Sequence, residues 1–155
     1  MVSRTVSSVF LDSSFIKAIV DPDDDFSPLA IRLWDSLIAN RTPLLTTNYI
    51  LDECFTLVRI KCSLKKAMDM RQILADNTHR IKYIRVTVAD DAGAWTWFKN
   101  DWSKLSFTDC VSFAVMKRLG LTDVATFDGH FAQAGFRALG DVHWGTVLEY
   151  VSLTL

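Results

Sequence analysis

At 155 residues, half of them apolar, the chain is long enough for one domain with its own core and too short for two ordinary ones, so residues 1–155 are expected to form a single domain. A net charge of −1 argues against a uniformly basic nucleic-acid binder, and three cysteines, Cys54, Cys62 and Cys110, without metal-type spacing argue against a disulfide framework. Near the amino terminus, Arg4 and a weak apolar stretch cut by Asp12 lack the long uninterrupted run of a signal peptide or membrane span, which makes the cytoplasm the expected compartment.

Residues 6–11 predict a first strand, and Ser13-Ser14 then starts a short helix over 15–20. Pro22 and three aspartates form a loop before Ser27-Pro28 opens a helix carrying Leu29, Leu33, Trp34, Leu37 and Ile38 on one side. Residues 43–46 read as a second strand. Thr47 or Asn48 can cap a long helix whose apolar positions Ile50, Leu51, Cys54, Leu57 and Val58 keep helical spacing. A further helix is predicted over 64–74, an alternating strand over 81–86 and a helix over 90–102. Ser106-Phe107-Thr108-Asp109 has the form of a capping box opening a helix through Leu119, closed by Gly120. Residues 124–127 read as the last clear core strand, with weaker elements at 136–139 and 146–151.

Four acids stand where these elements begin or end: Asp12, Glu53, Asp109 and Asp128. Asp12 and Asp128 both close short β-like runs, and the carboxyl ends of parallel strands face a common crevice. Carboxylates gathered there repel one another unless a cation or basic group neutralises them, and hard divalent cations favour such oxygen clusters. Each acid also has an ordinary reading. Aspartate is frequent in turns after strands and the chain has 16, while Asp109 is placed to cap its own helix. Glu53 is more pointed, since it is one of two glutamates and lies on a mostly apolar helix face, where an unpaired carboxylate is costly.

The charge is unevenly spread. Residues 59–85 carry eight basic side chains against Asp69 and Asp76, a local excess of +6. Arg59, Lys61, Lys65 and Lys66 are candidate contacts for the phosphates of a polyanion, or else a solvated helix face. Of the five tryptophans, Trp95 and Trp102 would share one helix face at seven-residue spacing, as core, dimer surface or base-stacking platform. Trp34, Trp97 and Trp144 have the same three readings.

The order and spacing of Phe10-Leu11-Asp12-Ser13-Ser14, Thr46-Thr47-Asn48-Tyr49-Ile50-Leu51-Asp52-Glu53, Leu105-Ser106-Phe107-Thr108-Asp109-Cys110 and Ala125-Thr126-Phe127-Asp128-Gly129-His130-Phe131 resemble the PIN domain family, and within it the VapC-type toxin ribonucleases of bacterial toxin–antitoxin pairs. The match covers nearly the whole chain. The resemblance implies an α/β fold, a three-layer α/β/α sandwich with a central, mostly parallel sheet. It implies a metal-dependent endoribonuclease in which Asp12, Glu53, Asp109 and Asp128 are the catalytic, metal-binding quartet for Mg²⁺ or Mn²⁺. Ser13, Thr108 and Thr126 fall at its supporting hydroxyl positions. The partners it implies are an RNA substrate, a second copy of the chain in a homodimer and an antitoxin protein, with no membrane.

Asp52 lies about 100° round the helix from Glu53 and falls outside the ligand set. No histidine is required, and His130 reads as a surface or structural residue ahead of a substrate contact. A haloacid dehalogenase-type phosphatase would need an aspartate where Ser14 stands, and a response-regulator receiver would need an acidic pair beside its first strand. A non-catalytic RNA-binding or scaffold module of the same fold, or a housekeeping PIN nuclease, is the remaining alternative.

Overall fold

The computed structural model of the chain describes residues 7–140. Three strands, β1 (Val9–Leu11), β2 (Leu44–Thr47) and β4 (Asp123–Ala125), are buried at every position, as strands covered on both faces must be. β3 (Ile81–Ile84) and β5 (Arg137–Ala138) close the edges of a five-stranded sheet in the order β3-β2-β1-β4-β5. All four pairings are parallel.

Helices α1 (Ser13–Val20), α2 (Ser27–Ala39), α3 (Asn48–Lys61) and α4 (Leu64–Asp76) carry the chain from β1 to β2 to β3. Helices α5 (Val88–Phe98), α6 (Phe107–Arg118) and α7 (His130–Gln133) carry it back to β4 and β5. Right-handed crossovers that travel in opposite directions along a sheet put their helices on opposite faces. The result is the expected α/β/α sandwich.

The helix starts follow side-chain chemistry. Thr47 Oγ1 accepts from Ile50 N at 3.2 Å to cap α3, Ser63 Oγ accepts from Lys66 N at 3.1 Å to cap α4, and Pro28 sits in the first turn of α2. Ser106 and Asp109 form the predicted capping box of α6. A second box, Thr87 with Asp90, opens α5 two residues before the expected start. The buried Asp90 also receives both Nε and Nη2 of Arg118, at 2.7 and 2.9 Å, tying α5 to α6. That pairing holds the Asp90 carboxyl below its usual range, with burial opposing it.

Several boundaries differ from expectation, and at two strand ends a side chain takes the backbone amide. β3 stops at Ile84, since Val86 N donates to Asn48 Oδ1 at 2.8 Å. β4 stops at Ala125, since Phe127 N donates to Ser14 Oγ and Asp128 N to Thr126 Oγ1. α5 ends at Phe98, so Trp102 is not on the helix face of Trp95; it packs beside Trp97 at 6.4 Å between ring centroids. Trp95 itself is exposed. The weak element at 136–139 is β5, while Arg4, Val6, Trp144 and the element at 146–151 lie outside the described residues. Cys54 and Cys110 are buried free thiols and Cys62 is partly buried, as expected without a disulfide framework. No helix among the described residues is long and apolar enough to cross a membrane.

Phe113 anchors the second helical layer. Its buried ring meets Trp97, Phe131 and Phe136 at centroid distances of 5.3, 5.0 and 5.7 Å, which joins α5, α6 and α7 to the strand edge. Phe113→Ala is expected to lower the unfolding free energy by about 3–5 kcal/mol in urea titration; a loss under about 1 kcal/mol would mean the ring is not part of the core.

Candidate active site

The connections from β1 and from β4 leave the sheet in opposite directions, so the carboxyl ends of these two neighbouring strands flank a topological switch point, where open parallel sheets form their crevice. Asp12 follows β1 directly, and its backbone N donates to Ala125 O of β4 at 3.1 Å. Thr126, Phe127 and Asp128 follow β4.

Asp12 is 1% exposed and its two carboxylate oxygens are treated differently. Oδ2 accepts from Thr126 Oγ1 at 2.8 Å, Ser14 Oγ at 2.7 Å and Ser14 N at 3.3 Å. Each hydroxyl has one proton to give, and each in turn accepts an amide, from Phe127 N at 2.9 Å and Asp128 N at 3.0 Å. The whole set is therefore satisfied and rigid. Oδ1, by contrast, is buried without a hydrogen-bond partner. A buried charged acceptor with no donor is costly, and a cation would satisfy it.

Asp109, Asp128 and His130 offer ligand atoms within 4.8 Å of one another. Asp109 projects from the first turn of α6, where its Oδ2 accepts from Ser106 N at 3.4 Å while its own N donates to Ser106 Oγ at 3.0 Å. The cap and the cluster member are thus one residue. Asp128 Oδ1 accepts from His130 N at 2.9 Å and lies 2.8 Å from His130 Nδ1. Asp12 and Glu53 both stand outside this group of three. Glu53 Oε2 accepts from Ser13 Oγ at 2.6 Å, linking α3 to the residue beside Asp12.

The electrostatics express crowding. Burial, reinforced by Asp128, raises the Asp12 carboxyl above its usual range even against the hydrogen bonds of Ser14 and Thr126. Asp109 is pushed up to about 8, first by burial and then by the charges of Asp12 and Asp128. Oxygen donors that resist ionising together until a positive charge arrives suit a hard divalent cation, and the residues present fit one.

Ser13 Oγ donates to Glu53 and Thr126 Oγ1 to Asp12, and the hydroxyl that holds Asp12 from α1 belongs to Ser14. The signal was the second serine of Asp12-Ser13-Ser14, which the first helical turn directs back to its N-cap. Thr108 is half-buried beside Asp109, and its carbonyl accepts from Ser112 Oγ at 3.0 Å. Asp52 is exposed, as its place round the helix requires. Arg59 and Lys61 lie at the far end of α3, about 12 Å along its axis from Glu53 at the position of Lys61. Lys65 and Lys66 follow in the first turn of α4, with Lys65 paired to Asp69 at 2.9 Å. The basic residues are therefore not gathered with the acids. His130, read as surface or structural, sits in the acid cluster with its side chain 16% exposed.

Asp109 sets a stability signature. Its folded pKa of about 8 lies above an unfolded value of about 3.9, so across that window the folded state keeps a proton that the unfolded chain releases. Its contribution is fully present below about pH 4 and is lost as pH rises through about 8. Metal-free protein is expected to melt lower at pH 8 than at pH 5, and Asp109→Asn, which keeps an acceptor for Ser106 N, should melt roughly 3 °C or more above the parent at pH 8. Parallel pH profiles for the two proteins in differential scanning fluorimetry would count against the crowded carboxylate.

Comparison with known proteins agrees with this geometry. The PIN domain family model matches residues 9–137. The chain is 32% identical over 130 residues to the 23S rRNA-specific endonuclease VapC20 of Mycobacterium tuberculosis, spanning 83% of this chain and 95% of that protein. The crystal structure of VapC20, described as a sarcin–ricin loop cleaving toxin, superposes with a TM-score of 0.73 at 33% identity, over 83% of this chain and 96% of that one. PAE2754 from Pyrobaculum aerophilum shares the fold at a TM-score of 0.59 and 15% identity, over 97% of this chain and 99% of its own. FitAcB from Neisseria gonorrhoeae does so at 0.59 and 20%, over 84% and 95%. With its switch-point acids, its parallel sheet and a family match over most of its length, the chain belongs to the PIN domain family.

Proposed function

We propose that this protein is a divalent-metal-dependent endoribonuclease and the toxin of a toxin–antitoxin pair, cutting structured RNA of the kind its relative VapC20 is described as cleaving. The observation that carries the reading is the divided carboxylate of Asp12, one oxygen saturated by Ser14 and Thr126 and the other buried and unpaired, on a carboxyl near enough to Asp109 and Asp128 for their charges to act on one another. That is how a ligand carboxylate is held when a cation is to take its second oxygen. The identity to VapC20 over 83% of the chain supports the same activity.

Asp12, Asp109 and Asp128 would hold Mg²⁺ or Mn²⁺, with Glu53, fixed by Ser13, completing the quartet. Bound there, the cation supplies a water of lowered pKa and positive charge for the phosphate and the leaving oxygen. The chain's own residues do the rest. Ser14 and Thr126 fix the angle of Asp12, and the capping box fixes Asp109 on its helix. The buried floor of β1 and β4 keeps bulk water from below, and whichever carboxylate is not engaged can take the water's proton. A homodimer and an antitoxin partner belong to the same reading. Arg59, Lys61, Lys65 and Lys66, exposed or half-exposed on the α3–α4 turn, would bind phosphates of the RNA well away from the cut.

Purified protein is expected to cleave a sarcin–ricin loop RNA with Mg²⁺ or Mn²⁺ and to stop on addition of EDTA. Asp12→Asn and Asp109→Asn should each lower kcat at least about 10³-fold, roughly 4 kcal/mol of barrier. Cleavage that survives the chelator or both substitutions would overturn the site. Lys61→Ala with Lys65→Ala should raise KM and flatten its salt dependence by about one to two in the log–log slope, with kcat unchanged; an unchanged salt slope would leave these lysines as a solvated helix face.

A further inference from the structure

We propose that His130 Nδ1 is itself a ligand of the cation held by the acid cluster, a nitrogen donor that biases this site toward Mn²⁺ over Mg²⁺. The inference rests on the metal-site reading above and adds a donor that the four-acid quartet does not contain.

Three observations converge on the ring. His130 Nε2 lies 2.8 Å from Ser103 O, and a carbonyl only accepts, so Nε2 carries the proton in that bond; in the neutral imidazole, the form that binds metal, Nδ1 is then the nitrogen with the lone pair. Nδ1 is buried and has no hydrogen-bond partner, although it lies 2.8 Å from Asp128 Oδ1 and 3.7 Å from Asp109 Oδ2. Ligand atoms at adjacent corners of an octahedron with bonds of about 2.1 Å are about 3 Å apart, and opposite corners about 4.2 Å. The three donors therefore already stand close to the spacing of one coordination sphere.

The ring is also held as a ligating histidine is held. Metal-bound histidines regularly give their other N–H to a carbonyl or carboxylate, which fixes both tautomer and orientation. Here Ser103, in the loop between α5 and α6, does this, and Trp102 lies nearly parallel to the imidazole at 6° and 6.5 Å between centroids. His130 N is tied to Asp128 Oδ1 at 2.9 Å, so donor and ring move as one unit. A histidine serving only to orient Asp128 would aim an aligned Nδ1–H at the carboxylate, and no such bond is formed. The consequence for ion choice follows from donor chemistry: an all-oxygen set accepts Mg²⁺ and Mn²⁺ alike, whereas an imidazole favours the transition ion.

The test uses Mn²⁺ alone as probe and needs no RNA. Pulsed electron paramagnetic resonance of the Mn²⁺-loaded protein should contain a nitrogen coupling that changes when the protein is made with ¹⁵N-histidine, and this wild-type spectrum decides the point whether or not a variant folds. The chain has three histidines, so His130→Gln assigns the signal: the coupling should vanish, and the ratio of Mn²⁺ to Mg²⁺ affinity by calorimetric titration should fall about 10-fold. Stoichiometric Mn²⁺ without a histidine nitrogen coupling, or an unchanged affinity ratio in His130→Gln, overturns the proposal and leaves the nuclease reading standing. Absence of Mn²⁺ binding to the wild-type protein overturns both.

Discussion

The arrangement depends on one anchored atom, Asp12 Oδ2. Its two hydroxyl donors come from either side of the switch point, Ser14 from the first helix and Thr126 from the end of β4, 114 positions away in the case of Thr126. Because each donor hydroxyl also accepts an amide from residues 127 and 128, the anchor sets the path of the chain that presents Asp128. A single carboxylate oxygen thus joins the two central strands beyond the reach of their ladder, while its twin stays buried and unpartnered. The surrounding core, fully buried at Phe10, Leu11, Val124 and Ala125, removes the water that would otherwise compete for these bonds.

What the anchor creates is a concentration of negative charge that folding alone does not relieve. The capping boxes show how the chain tolerates it. Asp109 stabilises the start of α6 with the same side chain that joins the cluster, so its presence is favoured by the helix even while its ionisation is opposed by Asp12 and Asp128. Asp90, in an equivalent box on α5, meets Arg118 instead and its carboxyl is held low. Two boxes of the same local form therefore lead to opposite electrostatic outcomes, decided by what packs opposite them: an arginine in one case, two more carboxylates in the other.

The same contrast explains what could be read from the chain in advance. The fold class was legible, because alternating strands and helices place strand ends at a common edge; Asp12 and Asp128 follow β1 and β4 there, while Glu53 lies within α3 and Asp109 in the first turn of α6. The division of labour between Ser13 and Ser14 was not, since both follow Asp12 and only the turn of α1 sends one hydroxyl to Glu53 and the other back to Asp12. Strand ends at Ile84 and Ala125 were missed by two residues because Asn48 and Ser14, remote in sequence, capture the amides that would have continued the ladder. The place of His130 was hidden for a related reason. Its surroundings come from Ser103 and Trp102, in a loop whose Trp102 was expected to end the preceding helix.

The pairing of β1 with β4 has a consequence for how the protein is made. Parallel strands that close over so long a stretch of sequence form late, because the entropy of closing the loop must be met before the contacts that reward it. On the ribosome, a chain synthesised only through α5 already contains Asp12 and Glu53, but Asp109 is missing and Asp12 has no Thr126 to hold it. Asp12 therefore meets Thr126 and the residues that follow it only once β4 has docked on β1.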